Sequence, residues 1–269
     1  MATKQQADEQ ALVTKQQGNG ALTKYEPPAE LDGFDKSDVV LPICSLMQPM
    51  SQKGGKEGTF YFPDGRELES MRVVVLHMLP TRAVWAPMSE GIGEPLCRSA
   101  DRKLGWTRYP LRIMEGKAQK EPEAEPTAIQ CADCRLGLTN TTFKKTDDGL
   151  WCPNGYSLLL ADYETAQPFM YFVKGAAMKE VKQKIVSPII RASQQSGKYE
   201  PWLNAYLWTS RLVQETGKKY HTPVIVQDTV LEDVHADYYA GMSAEYRPRA
   251  EAQTIEDTPP VTEEQERFA

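Results

Sequence analysis

The sequence predicts a mainly β fold that carries one helix and a cysteine-rich insertion. Valine-rich and aromatic runs bounded by Gly and Pro recur along the chain, which is the pattern of strands joined by turns. One lysine-bearing segment instead has helical spacing, and four of the five cysteines fall within residues 87–152. With 269 residues, 41% of them hydrophobic and 25% charged, the chain is long enough to bury a core of its own.

The chain before the insertion begins with a polar segment and continues with strands. Residues 1–37 lack periodicity and contain Gly-Asn-Gly and Pro-Pro, so we expect a flexible arm. A Gly-rich turn at 54–58 and a Pro-Asp-Gly turn at 63–65 separate the strand-like runs. Order is expected to begin near 39–47, with strands over 59–62, 70–79 and, after Pro80, 81–86.

After the insertion the β pattern returns and encloses a helix. Apolar residues at near-helical spacing predict a helix over 176–195. Pro188 should kink or break this helix. The remaining predicted elements are strands over 156–163, 168–174, 202–213 and 219–228, a short helix near 231–239, and an acidic tail from 243 onward.

A helix inserted among five to seven strands, before the last two, is typical of a small closed Greek-key barrel of the OB type. A two-layer α+β sheet would give the same order of elements. We favour an OB-like barrel with a helix, a metal-stabilised loop insertion and disordered termini. Its parts are the arm 1–37, a domain 38–242 with the insertion 87–152, and the acidic tail 243–269.

Charge is distributed unevenly along the chain. The net charge of −6 combines −3 in residues 1–51, +5 in 52–221 and −8 in 222–269. A mildly basic middle permits polyanion binding without requiring it. No apolar run approaches the roughly 20 residues needed to cross a bilayer, and the start of the chain lacks the apolar stretch of a secretory signal. We therefore expect a cytoplasmic protein with no membrane partner.

The sharpest local signal is the pair Cys131 and Cys134, followed by Cys152 beside Trp151. Two thiolates at CxxC spacing can hold one metal ion, because a tight turn brings both sulfurs within about 2.3 Å of it. Cys152 would be a third ligand, and Cys97 is the best candidate for the fourth. Since the insertion has little apolar periodicity, a structural Zn²⁺ would also supply folding energy that the insertion lacks.

Other interpretations of the cysteines fit less well. A thioredoxin-like redox pair should lie at a strand-to-helix junction of a βαβ unit, and the sequence contains no such pattern. A catalytic zinc usually recruits His or a carboxylate, but His77, His221 and His235 are distant from the cluster in sequence. Cys44 lies among aliphatic residues and is most simply a small buried apolar side chain.

Aromatic and basic residues are interleaved at several places. The predicted strand 202–213 carries aromatic rings on one face and an apolar stripe on the other, so we assign the aromatic face to the outer or groove side. Exposed rings beside cations suit non-specific single-strand binding, since each ring can stack a base for about 1–3 kcal/mol. Any single ring could instead fill the core. The candidate nucleic-acid-binding residues are Arg82, Trp85, Arg98, Arg102, Lys103, Trp106, Arg108, Tyr171, Lys174, Tyr206 and Trp208.

No pattern in the sequence is typical of an enzyme. A Walker-type loop, GxSxG, HExxH and a Gly-x-Gly-x-x-Gly after a strand are all missing. No spaced carboxylate set suggests a two-metal nuclease, and three scattered histidines argue against a His-based acid–base apparatus. The acidic tail could compete with nucleic acid for a cationic groove and offer partner proteins a charged peptide, or it could only aid solubility.

The chain resembles the zinc-containing OB-fold single-stranded-DNA-binding, or helix-destabilising, proteins of tailed phages. The resemblance rests on 41–49 (LPICSLMQP), 95–99 (PLCRS), the CxxC…Trp-Cys insertion, 168–175 (PFMYFVKG) and the acidic tail. It implies a protein of the host cytoplasm that coats transient single-stranded DNA during phage replication and recombination, with structural zinc. Replication or recombination proteins would then be partners of the tail. Zinc ligands in such proteins can include His, so an all-Cys set would be a departure.

We therefore expect non-enzymatic, largely sequence-independent binding of single-stranded DNA. One alternative is a structural or protein-interaction protein, such as an assembly factor, in which zinc only staples a long loop. Another is a metal-dependent nucleic-acid enzyme, which would need an acid–base residue beside an open zinc position. No His/Glu pair lies near Cys131 and Cys134 in the sequence to favour it.

Overall fold

Strands dominate the fold, as the sequence predicts. The computed structural model describes residues 40–49, 55–86, 95–119, 121–138, 149–215 and 217–256, all within one compact unit. The predicted arm 1–37 lies outside these residues. The strands are β1 Ile43–Leu46, β2 Phe60–Tyr61, β3 Glu67–Leu68, β4 Ser70–Trp85, β5 Pro95–Ser99, β6 Leu104–Thr107, β7 Thr127–Gln130, β8 Asn154–Asp162, β9 Pro168–Val173, β10 Asn204–Glu215 and β11 Lys218–Val230.

The helix predicted over 176–195 is present, but it is not uniform. An α-helical start passes through a π-helical turn before the α-helix resumes, and Pro188 lies in the first turn of the resumed helix, where a missing N–H costs least. The helices are α1 Arg135–Leu138, α2 Ala177–Val181, α3 Ser187–Ser196 and α4 Asp233–Glu256, with π-helical turns at Leu111–Glu115 and Lys182–Val186 and a 3₁₀ turn at Pro201–Leu203.

The sheet is mixed and open, and β4 is its branch point. The strand order is β3-β2-β1-β9-β8-β4-β5-β6-β7, while β10 also joins β4 and β11 pairs with β10. Within the described part of the chain, every pair is antiparallel except β1 with β9. β10 pairs with residues 70–74 of β4, and β5 pairs with residues 82–85 of the same strand. The sheet therefore extends from both ends of β4, through β10 at one end and through β5 at the other.

β4 continues through Pro80, where the sequence predicts a break. Between 75 and 81 the strand pairs with β8 on one side, and no other described strand pairs with its second side. The Met78 N–H points to that second side and donates to the Tyr199 hydroxyl at 3.2 Å. Pro80, two residues further along, directs its nitrogen the same way and so removes no ladder hydrogen bond.

Two buried clusters lie on opposite sides of the sheet. In β4, Val73 and Val75 belong to the first cluster, while Val74 and Leu76 belong to the second. The first cluster packs the strands against α2 and α3, and the second packs them against α4. Burial on both faces accounts for the unbroken apolar run of this strand. Each fully buried Val, Leu or Phe side chain contributes about 1.5–3 kcal/mol to the free energy of folding.

Side chains link β11 to the chain that follows β1. The Gln48 side chain accepts from the His221 N–H at 2.8 Å and donates to the His221 carbonyl at 3.1 Å. His221 Nε2 lies 3.0 Å from a Glu57 carboxylate oxygen, and the Ser210 hydroxyl donates to the Gly58 carbonyl at 2.5 Å. β1 and β11 form no backbone ladder with each other, and polar side chains hold this part of the chain together instead.

The predicted boundary of the acidic tail is wrong over 243–256. These residues continue α4, whose inner face is buried against the sheet. The Ser243 hydroxyl donates to the Leu76 carbonyl at 2.8 Å, and Thr254 lies 2.8 Å from the Ser157 hydroxyl. Gln253 accepts from the Leu41 N–H at 3.0 Å and donates to its carbonyl at 2.8 Å. Residues 257–269 lie outside the described part.

Replacing Gln253 with Ala should destabilise the fold by about 1–3 kcal/mol, because the buried N–H and carbonyl of Leu41 would lose their hydrogen-bond partner. Urea unfolding measures this loss. The control is Gln195→Ala, an exposed glutamine on α3, which should change stability by no more than about 0.5 kcal/mol. Equal effects of the two substitutions would show that α4 is not anchored through Gln253.

Candidate functional site

The four cysteines of the insertion line one pocket. Cys97 lies on β5, Cys131 and Cys134 lie in the turn between β7 and α1, and Cys152 precedes β8. The rest of the wall comprises Arg82, Val84, Gly105 and Ile129. Segments that are 18 or more positions apart in sequence are therefore brought together by the pairing of β4 with β5 and with β8, of β5 with β6, and of β6 with β7.

Gly105 makes room for the sulfurs. A Cβ atom at this position would lie 2.9 Å from Cys97 Sγ and 3.7 Å from Cys131 Sγ. The first distance is shorter than any normal contact, so only glycine fits there without movement. The two sulfurs can be no farther apart than the sum of these distances. Gly105 is not among the site residues predicted from the sequence, although an isolated Gly inside a strand is a known signal of close approach.

Burial dominates the electrostatics of the pocket. It raises the pKa of the Cys97 and Cys131 thiols and raises the pKa of Cys152 to about 12. The neighbouring thiols raise the pKa of Cys97 further, while the Arg82 guanidinium acts in the opposite sense on Cys131 and Cys152. Burial therefore favours the neutral thiol form of Cys97, Cys131 and Cys152.

The pocket is small, with a cavity volume of about 10 Å³, which is room for one small occupant. All five cysteines are free thiols. Within the described ranges, no three His, Cys, Asp or Glu side chains are drawn together in a metal-holding arrangement. The four sulfurs thus share a wall but do not form a ready-made coordination shell. The donor set itself fits the Cys₄ type of structural zinc site.

The opposite side of the same strands carries rings and cations. Because neighbouring residues of a strand point to opposite faces, Arg98 lies opposite to Cys97, and Trp106 lies opposite to Gly105. Arg98 and Trp106 are direct partners across β5 and β6. Ala83 and Trp85 cluster apart from Val84, which lies in the pocket wall. We call this surface the Trp106 face, and its members are Trp85, Arg98, Trp106, Arg108 and Lys174.

Exposure differs between the two tryptophans of the Trp106 face. Trp106 is 42% exposed, whereas Trp85 is 8% exposed and lies 6.0 Å below the Lys174 ammonium, measured to the ring centroid. Arg108 is exposed and directly follows the end of β6, two residues after Trp106. The face therefore brings together five of the eleven residues predicted to bind nucleic acid.

Three of the predicted stacking residues are buried in the core, and that part of the prediction is wrong. Tyr171, Tyr206 and Trp208 are 4%, 1% and 0% exposed. The Trp208 ring packs edge-on against Tyr171 at 5.1 Å between centroids. The aromatic face of β10 is turned toward α2 and α3, while its other face, with Ala205, meets the cluster beneath α4. A base cannot reach these rings.

Two predicted phosphate ligands are used inside the protein. Arg82 lines the cysteine pocket, and its Nε donates to Asn154 Oδ1 at 3.0 Å. The Arg102 guanidinium donates to the carbonyls of Thr81 and Gly155. Neither belongs to the Trp106 face, so the structure does not bring them together with the other predicted phosphate ligands, and their assignment to phosphate stays a prediction. Lys103 is exposed in the turn before β6.

The chain matches no protein-family model, no curated protein and no solved structure. The resemblance to phage single-stranded-DNA-binding proteins accordingly stays a prediction. None of the helices in the described ranges combines the length and apolar character needed to cross a membrane.

Proposed function

We propose that this chain is a non-enzymatic protein that binds single-stranded DNA, largely without regard to sequence, in phage DNA replication or recombination. The observation that carries the proposal is the pairing of exposed Trp106 with Arg98 across β5 and β6, with Lys174 over the neighbouring Trp85 ring and exposed Arg108 two residues after Trp106. A base stacked on the Trp106 ring would place its phosphates among these cations.

We infer that the described strands form an OB-like barrel. β4, β8, β9, β10 and β11 occur in this order along the chain, with the insertion strands β5, β6 and β7 between the first two. The helices α2 and α3 lie between the third and fourth, as in that fold. All five strands contribute to the cluster beneath α2 and α3, and Gln48 links β11 to the chain after β1. The cysteine-rich insertion then occupies the loop between the first two barrel strands, a loop that OB folds use to contact oligonucleotides.

In this interpretation α4 determines where DNA can bind. OB folds commonly bind oligonucleotides on the face of their second and third strands, here β8 and β9. Leu159 and Met170 on the outer side of these strands pack in the cluster that includes Met242 and Tyr239 of α4. Since the chain covers that surface with its own helix, the proposal assigns binding to the Trp106 face.

We propose that Cys97, Cys131, Cys134 and Cys152 hold a structural Zn²⁺. When bound, zinc would supply folding energy and fix β5, the turn after β7 and the start of β8 relative to one another. Four thiolates and one Zn²⁺ carry a net charge of −2, and the Arg82 guanidinium in the pocket wall offsets part of it.

A second candidate function is supported by one observation. Trp85 is buried, so Trp106 is the exposed ring of the Trp106 face. A single exposed Trp beside Arg is also typical of a protein–protein hot spot. A zinc-stapled protein-interaction or assembly protein would have the same metal content but would be indifferent to DNA.

Titration with oligo-dT at low salt should quench tryptophan fluorescence. Trp106→Ala should weaken binding by about 1–3 kcal/mol and remove most of the quenching. If three cations meet phosphates, log K should fall with log salt with a slope of about −2. Trp202→Phe, in the cluster beneath α4, is the matched control and should leave affinity unchanged. Absence of quenching and of a gel shift for the wild type would favour the protein-interaction function.

Purified protein should contain about one zinc ion per chain by elemental analysis, and Cys131→Ser should lower that content. Cys44→Ala is the control, because Cys44 is buried in the cluster beneath α2 and α3, away from the pocket. Zinc-free protein with an intact fold, or equal zinc content in all three proteins, would contradict the assignment.

Removal of residues 257–269, which carry a net charge of −3, should tighten binding to oligo-dT several-fold at low ionic strength if this segment competes for the cations. The truncation must stop after Glu256, because the residues before it belong to α4. Replacing Glu263, Glu264 and Glu266 with Gln keeps the length and should have the same effect. Affinity that is unchanged at low salt would reject competition by the tail.

A further inference from the structure

The turn between β5 and β6 is built around Asp101. One oxygen of its carboxylate accepts from the N–H groups of Lys103 at 2.7 Å and Leu104 at 2.9 Å, and from the Ser99 hydroxyl at 3.1 Å. Hydrogen bonds to the Leu104 and Lys103 N–H groups and to Ser99 lower the pKa of Asp101 against the opposing effect of burial. Arg102 lies inside this turn in the left-handed region, with φ of 61°. A non-glycine residue adopts this conformation at a cost, so something must hold it there.

The Arg102 side chain leaves the insertion and docks on the barrel. Its Nε donates to the Thr81 carbonyl at 3.3 Å, and its Nη2 donates to the Gly155 carbonyl. The guanidinium also lies 4.6 Å from the centroid of the Tyr156 ring. Thr81 and Gly155 are partners across β4 and β8, so one planar fork bridges two adjacent strands.

These contacts lie at the junction of two parts of the Trp106 face. Arg98 and Trp106 belong to the insertion strands, whereas Lys174 follows β9 of the barrel. The β8–β9 register, in which Tyr156 faces Val173, places Gly155 beside Lys174. Arg102 therefore connects the strands that carry Trp106 to the strands that carry Lys174.

We propose that Arg102 is a positioning residue for single-stranded DNA binding, which fixes the insertion half of the Trp106 face relative to the barrel half. The proposal rests on the function proposed above. Arg102 acts through Trp106 and Arg98 and touches no phosphate. A lysine in its place keeps the charge but loses the planar fork that spans both carbonyls.

The test compares Arg102→Lys with Arg66→Lys. Arg66 also stacks on a ring, that of Phe62 at 4.6 Å, but it lies near β3 and far along the sheet from the insertion. Arg102→Lys should weaken oligo-dT binding about tenfold through misplaced stacking, with an unchanged salt slope because no phosphate contact is lost. Arg66→Lys should leave both quantities unchanged.

Hydrogen exchange without DNA gives an independent readout. Amides of β6 should exchange faster in Arg102→Lys than in the wild type, while those of β8 and β9 should not change.

If Arg102→Lys binds like the wild type, and Arg102→Gln lowers the salt slope by about 0.7, Arg102 is a phosphate ligand and the proposal is overturned. Unchanged exchange in β6 overturns it as well. If the wild type does not bind oligo-dT, the proposed function fails, and exchange alone decides whether Arg102 anchors the insertion.

Discussion

The alternation of side chains along β5 and β6 is the constraint on which the candidate site depends. Cys97 and Arg98 are neighbours in one strand, and Gly105 and Trp106 are neighbours in the next, so each pair has one member in the pocket and one on the Trp106 face. A shift of register by one residue would exchange the two faces completely. Whatever fixes the sulfurs on one side therefore fixes the ring and the cation on the other.

The two halves of the molecule are held by different means. Around β4, buried aliphatic and aromatic side chains on both faces supply the stability, and α4 adds buried polar contacts that fix its orientation. The insertion has a smaller apolar cluster that includes Leu96, Ile113 and Leu136 together with Cys97 and Cys134. A metal would contribute most where the apolar cluster is smallest.

The sequence predicted most strands and the cysteine cluster because both leave local signals, namely β-branched runs and CxxC spacing. The side of β10 that faces the core could not be read from alternation, since Ala205 and Trp208 lie on opposite faces and both are buried. The extent of α4 was hidden by its charged composition. β4 can continue through Pro80 because no strand of the described ranges pairs with that side of it, which only the three-dimensional arrangement reveals.

Ultraviolet crosslinking of the full chain to oligo-dT, with identification of the crosslinked peptides, tests the location of the binding surface directly. Crosslinks are expected at Trp106 and its neighbours on β5 and β6. Crosslinks confined to the β10–β11 hairpin, or none at all under conditions where a bona fide single-strand binder crosslinks, would contradict it.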